Sequence, residues 1–540
     1  ILPGALSAGA VAGDGGTVII GRSDTNLPPP CSTCVTPPPG ALRPQVQFGA
    51  AANFSLNGSG ANGNGGRLVI DAQTIGFSST PFALVADGSG TGNGGVIDLK
   101  AQTGSFTINN VSGGITTSAR SGASAGNGGS ISISTKSGNL SLNTNFATVN
   151  PRGSNGSGGQ LSLTNTGTAS LRGSLNFDGQ GVGNGGSFSL VTGSGPLSSY
   201  NVSARAGSGG GSGGSVRISQ GGLNVNSINV SAQTGAAVSD GGTINLSSSG
   251  LLTLSSVQLA ADGSGSGRGG SVSLSGNTIT VPNNFLLSAD GQEGGSVSVV
   301  RKSGDVTIGT GRGNIRLSAA GVRGGGNVTV EALAGGNLVV DPAAINISPG
   351  TGHGGSISLK GTTVVVQGNL DVSATSAGDA GSINLTSTGS SALEIGNSLT
   401  TNGVRGVLLA NTTNGRAGKI SLTSDSQLDI LDLNAISIVP TVGDGGQLIL
   451  TAPIINITVS EFVSGRTGDD FYKGTLRVNA SDAAHLGGQI LVSGNLFVVP
   501  ILPGVADLSL ETTGLSLWSA TDCRGCVDVT TNQGFISATA

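Results

Sequence analysis

Four cysteines carry the most specific chemistry in this 540-residue chain. They form two Cys-x-x-Cys pairs, Cys31 with Cys34 and Cys523 with Cys526. Four thiolates from two such pairs suit tetrahedral zinc, but the pairs stand near opposite ends of the sequence, which argues against one zinc site within a chain. A redox motif needs a strand leading into a helix, and no helical pattern accompanies either pair. Two uses remain: a local disulfide in each loop, or cross-links between one molecule and the next. The second is favoured, and either fits an oxidising compartment.

Histidine and aspartate offer the next chemistry. Gly352-His353-Gly354 resembles the Gly-His-Gly of polygalacturonases, and Asp469-Asp470 resembles their paired carboxylates. Two carboxyl groups flanking a sugar bond can hydrolyse it by acid and base. In that family the aspartates precede the histidine motif; here they follow it by over a hundred residues. His353 also fills a place that Asn fills in other copies of a repeat. The expectation is therefore a protein that is not an enzyme, without metal or cofactor. His485 stands alone and reads as a surface residue. Asp87, Asp178, Asp262 and Asp290 each precede a Gly. Clustered carboxylates suit calcium, but the fixed spacing of a calcium-binding nonapeptide is missing, and Asx turns are the expected role.

These residues have to be positioned by a repeat. The word Gly-Gly-x-apolar-x-apolar begins at 15, 65, 94, 128, 158, 185, 213, 241, 269, 294, 325, 354, 445 and 487, with Ala-Gly variants at Ala380 and Ala417. From 65 to 354 successive copies lie 25 to 34 residues apart, a period near 28. Self-similarity at that period marks a solenoid. Within one copy, 271–274, 277–281 and 285–289 each read as a short strand. Three strands and their turns per 28 residues predict an all-β fold, a right-handed parallel β-helix whose alternate residues point inward. Gly at the corners is expected to take positive φ. Asn64, Asn93, Asn127 and Asn184 precede the paired glycines; Asn tolerates the left-handed region and can hydrogen-bond along a stack.

Composition agrees. The chain has 98 Gly, no Met, one Trp and 10% charged residues. It is poor in helix formers and rich in strand and turn formers, and it lacks the Gly-X-Y period of collagen. The formal net charge is −4 with scattered basic residues, so no nucleic acid is expected as partner. No apolar run reaches the length of a membrane helix, so no membrane insertion is expected. The chain begins Ile1-Leu2-Pro3-Gly4 without Met. That predicts a secreted, extracellular product whose signal segment is already removed.

Departures from the word cluster near the two ends. Residues 1–64 read as N-terminal coils with a Pro/Cys-rich insertion, 65–499 as β-helix repeats, and 500–540 as a tail and docking segment. The outward middle residue of the word is polar in the inner copies, for example Ser132, Ser189 and Ser358, but apolar at Ile19, Val69, Ile449 and Leu491. Either local loops or another subunit would cover these four. The tail adds Trp518, Phe535 and Ile536 to that candidate assembly interface. The 461–473 loop, with Asp469, Asp470, Phe471 and Tyr472, is a candidate binding loop.

The repeated words resemble those of secreted bacterial β-helix proteins of the filamentous-haemagglutinin type and related strand-repeat surface proteins, over roughly residues 50 to 500. The resemblance implies a surface or adhesive role. The expected function is a structural subunit of an extracellular fibre whose partner is itself, joined head to tail as a homopolymer. Residues 505–540 would dock on the N-terminal coils of the next subunit by strand addition, with Cys31, Cys34, Cys523 and Cys526 locking the joint. The alternative is a monomeric cell-surface adhesin that binds glycans or host surfaces through the 461–473 loop. A polysaccharide lyase or hydrolase comes third.

Overall fold

Each copy of the repeat word becomes one strand of a parallel stack, because its two inward residues are apolar and, in the inner copies, its outward middle residue is polar. The structure, a computed structural model, describes residues 6–7, 13–21, 45–48, 53–77, 82–108, 115–142, 147–171, 173–193, 200–225, 227–229, 231, 238–254, 258–281, 285–311, 313–347, 351–464, 471–482, 485–512, 516–518, 527–530 and 535–539. Among these the chain is all-β, a parallel β-solenoid, with two short 3-10 turns and no α-helix. It divides into two units, Ile1–Ser271 and Val272–Ala540.

In the first unit one wall runs through Thr17–Gly21, Arg67–Ala72, Val96–Ala101, Ser130–Thr135, Gln160–Asn165, Ser187–Val191, Ser215–Gln220 and Thr243–Ser248. Register places Leu68, Ile97, Ile131, Leu161, Phe188, Val216 and Ile244 directly above one another. Ile70, Leu99, Ile133, Leu163, Leu190, Ile218 and Leu246 form the second such column. All fourteen are at most 1% exposed, so the two columns are the core of this wall. A one-residue slip would turn both columns to solvent, which is what holds the register. A second wall carries Phe106–Ile108, Leu140–Leu142 and Ala169–Leu171, paired in parallel. A third carries Asn53–Ser55, Phe82–Val85, Ile115–Ser118 and Ala147–Thr148.

The second unit repeats the scheme. Val297, Val328, Ile357, Ile383, Ile420, Leu448 and Ile490 form one column along Ser296–Arg301, Asn327–Ala332, Ser356–Gly361, Ser382–Ser387, Lys419–Ser424, Gln447–Val459 and Gln489–Pro500. The last two strands run on for 13 and 12 residues. Residues of the expected tail pair within the chain: Val505–Glu511 lies parallel to Phe471–Arg477, and Phe535–Thr539 lies parallel to Gln489–Pro500 through Gln489 to Ser493. Antiparallel strands also occur here. Glu461–Val463 pairs with Phe471–Arg477, and Ser516–Trp518 with Val527–Thr530.

The paired corner glycines serve a different purpose from the expected one. None of the described pairs has positive φ; that conformation falls elsewhere, at Gly126, Gly156, Gly415 and Gly443 among others. The pairs are glycine because backbones of neighbouring turns touch there. A Cβ on Gly128 would sit 1.6 Å from the Val149 carbonyl oxygen, and one on Gly381 would sit 1.7 Å from that of Gly355.

Candidate functional site

The corner before each Gly pair carries a polar ladder. In the first unit the Asn64 backbone N–H donates to Asp14 Oδ1, Asn93 N–H to Asn64 Oδ1, Asn127 N–H to Asn93 Oδ1 and Ser157 N–H to Asn127 Oδ1, each at 2.8 Å. Asn184 and Ser212 extend it. Each side chain accepts the amide one turn further on, so amides that would otherwise lack a sheet partner are satisfied. The left-handed tolerance of Asn is not used, since among the described residues Ala334 is the sole non-glycine with positive φ.

His353 belongs to the same device in the second unit. Its Nδ1 accepts the Asp379 N–H at 3.0 Å, and Asp379 Oδ1 accepts the Arg416 N–H at 2.8 Å. The acceptor role places the lone pair on Nδ1 and leaves any ring proton on Nε2. His353 thus does in the fold what Asn does at 64, 93 and 127. Asp469 and Asp470, its suggested catalytic companions, lie outside the described residues. His485 bonds Asp482 Oδ1 at 2.9 Å within its own loop.

Aspartates hold corners that follow short strands in both units: Asp87 after Phe82–Val85, Asp178 after Gly173–Asn176 and Asp290 after Phe285–Ser288. Asp87 is buried; its Oδ1 accepts the Ser118 hydroxyl at 2.6 Å and the Arg120 backbone N–H at 2.9 Å. Its Oδ2 faces two guanidinium groups, that of Arg120 at 3.4 Å and that of Arg152. Asp178 repeats the pattern with Ser203, the Arg205 N–H and the Arg205 side chain at 3.0 Å. Asp290 repeats it with Ser318 and the Ala320 N–H. In these three corners the carboxylate reaches the next turn rather than its own chain two residues on, so the contacts differ from the expected Asx turns. Burial lowers the Arg152 pKa from its ordinary value; Asp87 opposes that shift and the like charge of Arg120 adds to it. Among the described residues no group of three or more His, Cys, Asp and Glu is arranged to hold a metal ion.

The expected interface residues come together only in pairs. Ile19 stands beside Val69 in the first unit, and Ile449 beside Leu491 in the second. Ile19 is exposed and the other three are half-buried. All four point outward from a wall rather than along the stack. Trp518 lies opposite Val529, Phe535 opposite Gln489 and Ile536 opposite Ile490 in strand register. Cys31, Cys34, Cys523 and Cys526 lie outside the described residues. Of the binding loop, Phe471 and Tyr472 begin a strand, and the Tyr472 ring lies 5.5 Å from that of Phe462.

A larger feature was not singled out from the sequence. Gln489–Pro500 pairs on one side with Gln447–Val459 along most of its length. On the other side, among the described residues, only its first half is paired, with Phe535–Thr539. The second half, Asn495 to Pro500, has no strand partner on that side among the described residues. Phe497 on it is 51% exposed, and Val499, Ile501, Leu502 and Phe462 are exposed nearby in the chain. The signal was present in Leu496-Phe497-Val498-Val499, where apolar residues occupy both faces and the alternation of the word is lost.

No helix among the described residues is long and apolar enough to cross a membrane. No protein family, curated protein or solved structure matched the chain.

Proposed function

We propose that this chain is a structural subunit of an extracellular fibre. In this reading it is a right-handed parallel β-helix of about 28 residues and three short strands per coil, and copies join head to tail. The observation that carries the reading is the apolar edge at Asn495–Pro500, which has no outer strand partner among the described residues. Soluble proteins blunt long strand edges with charge or proline, because unpaired N–H and C=O groups recruit other strands. Here five residues pass before Pro500, and none is charged.

The matching surface is in the first unit of a second copy. Thr17–Gly21 has one strand neighbour among the described residues, and its inward Val18 and Ile20 are half-buried where Leu68 and Ile70 are fully covered. In a parallel stack the first and last edges are unlike, so parallel addition joins a last edge to a first one. Contacts between unlike surfaces build open filaments unless the rotation closes a ring. Since Val505–Glu511 and Phe535–Thr539 are paired within the chain, the joint is edge on edge rather than exchange of a C-terminal segment.

Electron microscopy and sedimentation of the full chain test this. The expected result is concentration-dependent filaments, lost when Phe497→Lys and Val499→Lys are combined. A parent chain that stays monomeric at high concentration, or a double variant that still forms filaments, overturns it. Non-reducing gels test the cysteine locks separately: a ladder that collapses with reductant is expected, and a single monomer band removes the covalent part. The monomeric adhesin reading is favoured by the exposed Phe462 packed on Tyr472. A glycan array probed with the monomeric double variant tests it.

A further inference from the structure

Three aspartate corners share one geometry, and two of them, Asp178 and Asp87, differ in charge. At Asp290 the carboxylate accepts a hydroxyl and a backbone N–H from the next turn. At Asp178 one arginine is added; Arg205 meets Oδ2 through both Nε and Nη2, at 3.3 and 3.0 Å. That corner is electrically balanced. At Asp87 two arginines converge on the same oxygen, Arg120 from one turn on and Arg152 from two turns on. One buried carboxylate then faces two cations, and the corner carries an excess positive charge.

The second arginine is surplus to what the corner needs for its fold, since Asp178 is complete with one. Holding two guanidinium groups together costs repulsion, and that cost is spread over groups drawn from three turns. Arg120 spends Nε on the Ser118 hydroxyl and Nη2 on Asp87, while Arg152 spends Nη2 on Asp87. Arg120 Nη1 and Arg152 Nε and Nη1 have no partner among the described residues. The side chains are 39% and 34% exposed, so solvent reaches both. Planar guanidinium forks held in place by a buried carboxylate are pre-organised for oxygen anions, which they bind through paired N–H donors.

We infer that Arg120 and Arg152, held side by side by Asp87, form a binding site for an oxyanion. The group bound is a carboxylate, sulfate or phosphate that bridges the two guanidinium groups and neutralises the excess charge. Such a group can be a free inorganic anion or an acidic substituent of a polysaccharide, and the same two forks serve either. The inference is independent of fibre formation.

Titration calorimetry of the full chain at fixed ionic strength tests it, with sodium sulfate, sodium phosphate and polygalacturonate as probes and sodium chloride as the reference. Saturable binding of at least one oxyanion, with a melting temperature raised by that anion beyond the effect of chloride, is expected. Arg152→Gln should weaken binding about tenfold, the scale of one charge-assisted hydrogen bond. Arg152→Lys should retain part of it, and Arg205→Gln, at the balanced corner, should leave it unchanged. Tighter binding of the polymer than of sulfate or phosphate identifies an acidic polysaccharide as the source; equal binding identifies the free ion. Absence of saturable binding by the parent chain overturns the site, as does an Arg152→Gln variant that binds like the parent. So does an Arg205→Gln variant that loses as much. If Arg152→Gln does not fold, the anion-dependent melting shift of the parent and the Arg205→Gln variant still decides.

Discussion

Gly128→Ala separates two explanations of the repeat word. If the paired glycines were there for positive φ, alanine would suffer a conformational penalty alone. Gly128 does not have positive φ, and by that argument alanine should cost nothing and even stabilise by about 0.4–1 kcal/mol through the unfolded chain. The packing says otherwise. The new Cβ would lie 1.6 Å from the Val149 oxygen and 2.5 Å from the Gly159 nitrogen, both backbone atoms. The turns must part by more than an ångström before that methyl group fits. Parting them breaks the bonds from Gly159 N–H to Val149 and from Gly128 N–H to Ser157, each 2.9 Å long. Two backbone bonds lost at this junction, at roughly 1–3 kcal/mol each, give a destabilisation of about 2–6 kcal/mol. Gly335→Ala is the control, because Gly335 has φ +83° and nothing within 4 Å of its added Cβ; the left-handed penalty of about 1–2 kcal/mol is its whole cost.

Stability in a solenoid is a sum of repeat and neighbour terms, so the damage from Gly128→Ala should stay near its own turns. Native-state hydrogen exchange reads this directly. Protection should fall in Ser130–Thr135 and Gln160–Asn165 and hold in strands several turns away. Equal protection in the variant and the parent, or a larger loss from Gly335→Ala than from Gly128→Ala, would refute the close-approach argument.

Further outcomes follow from the same geometry. His353→Asn keeps an acceptor for the Asp379 N–H and should leave urea stability within about 0.5 kcal/mol, whereas His353→Ala orphans that amide and should cost about 1 kcal/mol. Asp178→Ala removes the acceptor of a hydroxyl, an amide and a guanidinium at once; a loss of roughly 1–3 kcal/mol is expected in denaturant unfolding. Leu163→Ala opens a cavity in a fully buried column and should cost about 2–5 kcal/mol, measured the same way.

The walls of the solenoid were legible because strand periodicity is written in adjacent residues. Ile131 and Ile133 alternate with Ser130, Ser132 and Ser134, and the buried face follows from that alone. The histidine was legible too: its place in the word predicted a corner residue, and it bonds as one. The arginine site was not. Arg120 and Arg152 stand 33 and 65 residues from Asp87, and no local pattern links the three. Turns of unequal length shift the count, so only the actual register shows which corner each residue joins. The edge at Asn495–Pro500 was half legible, as a loss of alternation at Leu496 to Val499 without any sign of which strands would pair beside it.

By itself the sequence determined the all-β repeat and the inward columns, since a short glycine-marked word repeated many times leaves one way to bury two apolar residues per strand. The tertiary structure alone decided why those glycines are obligatory, which carboxylates bind across turns, where two arginines meet, and which edge lacks a strand partner among the described residues. Each of these depends on distances between backbones far apart in the chain, and such distances are set only when the turns close on one another.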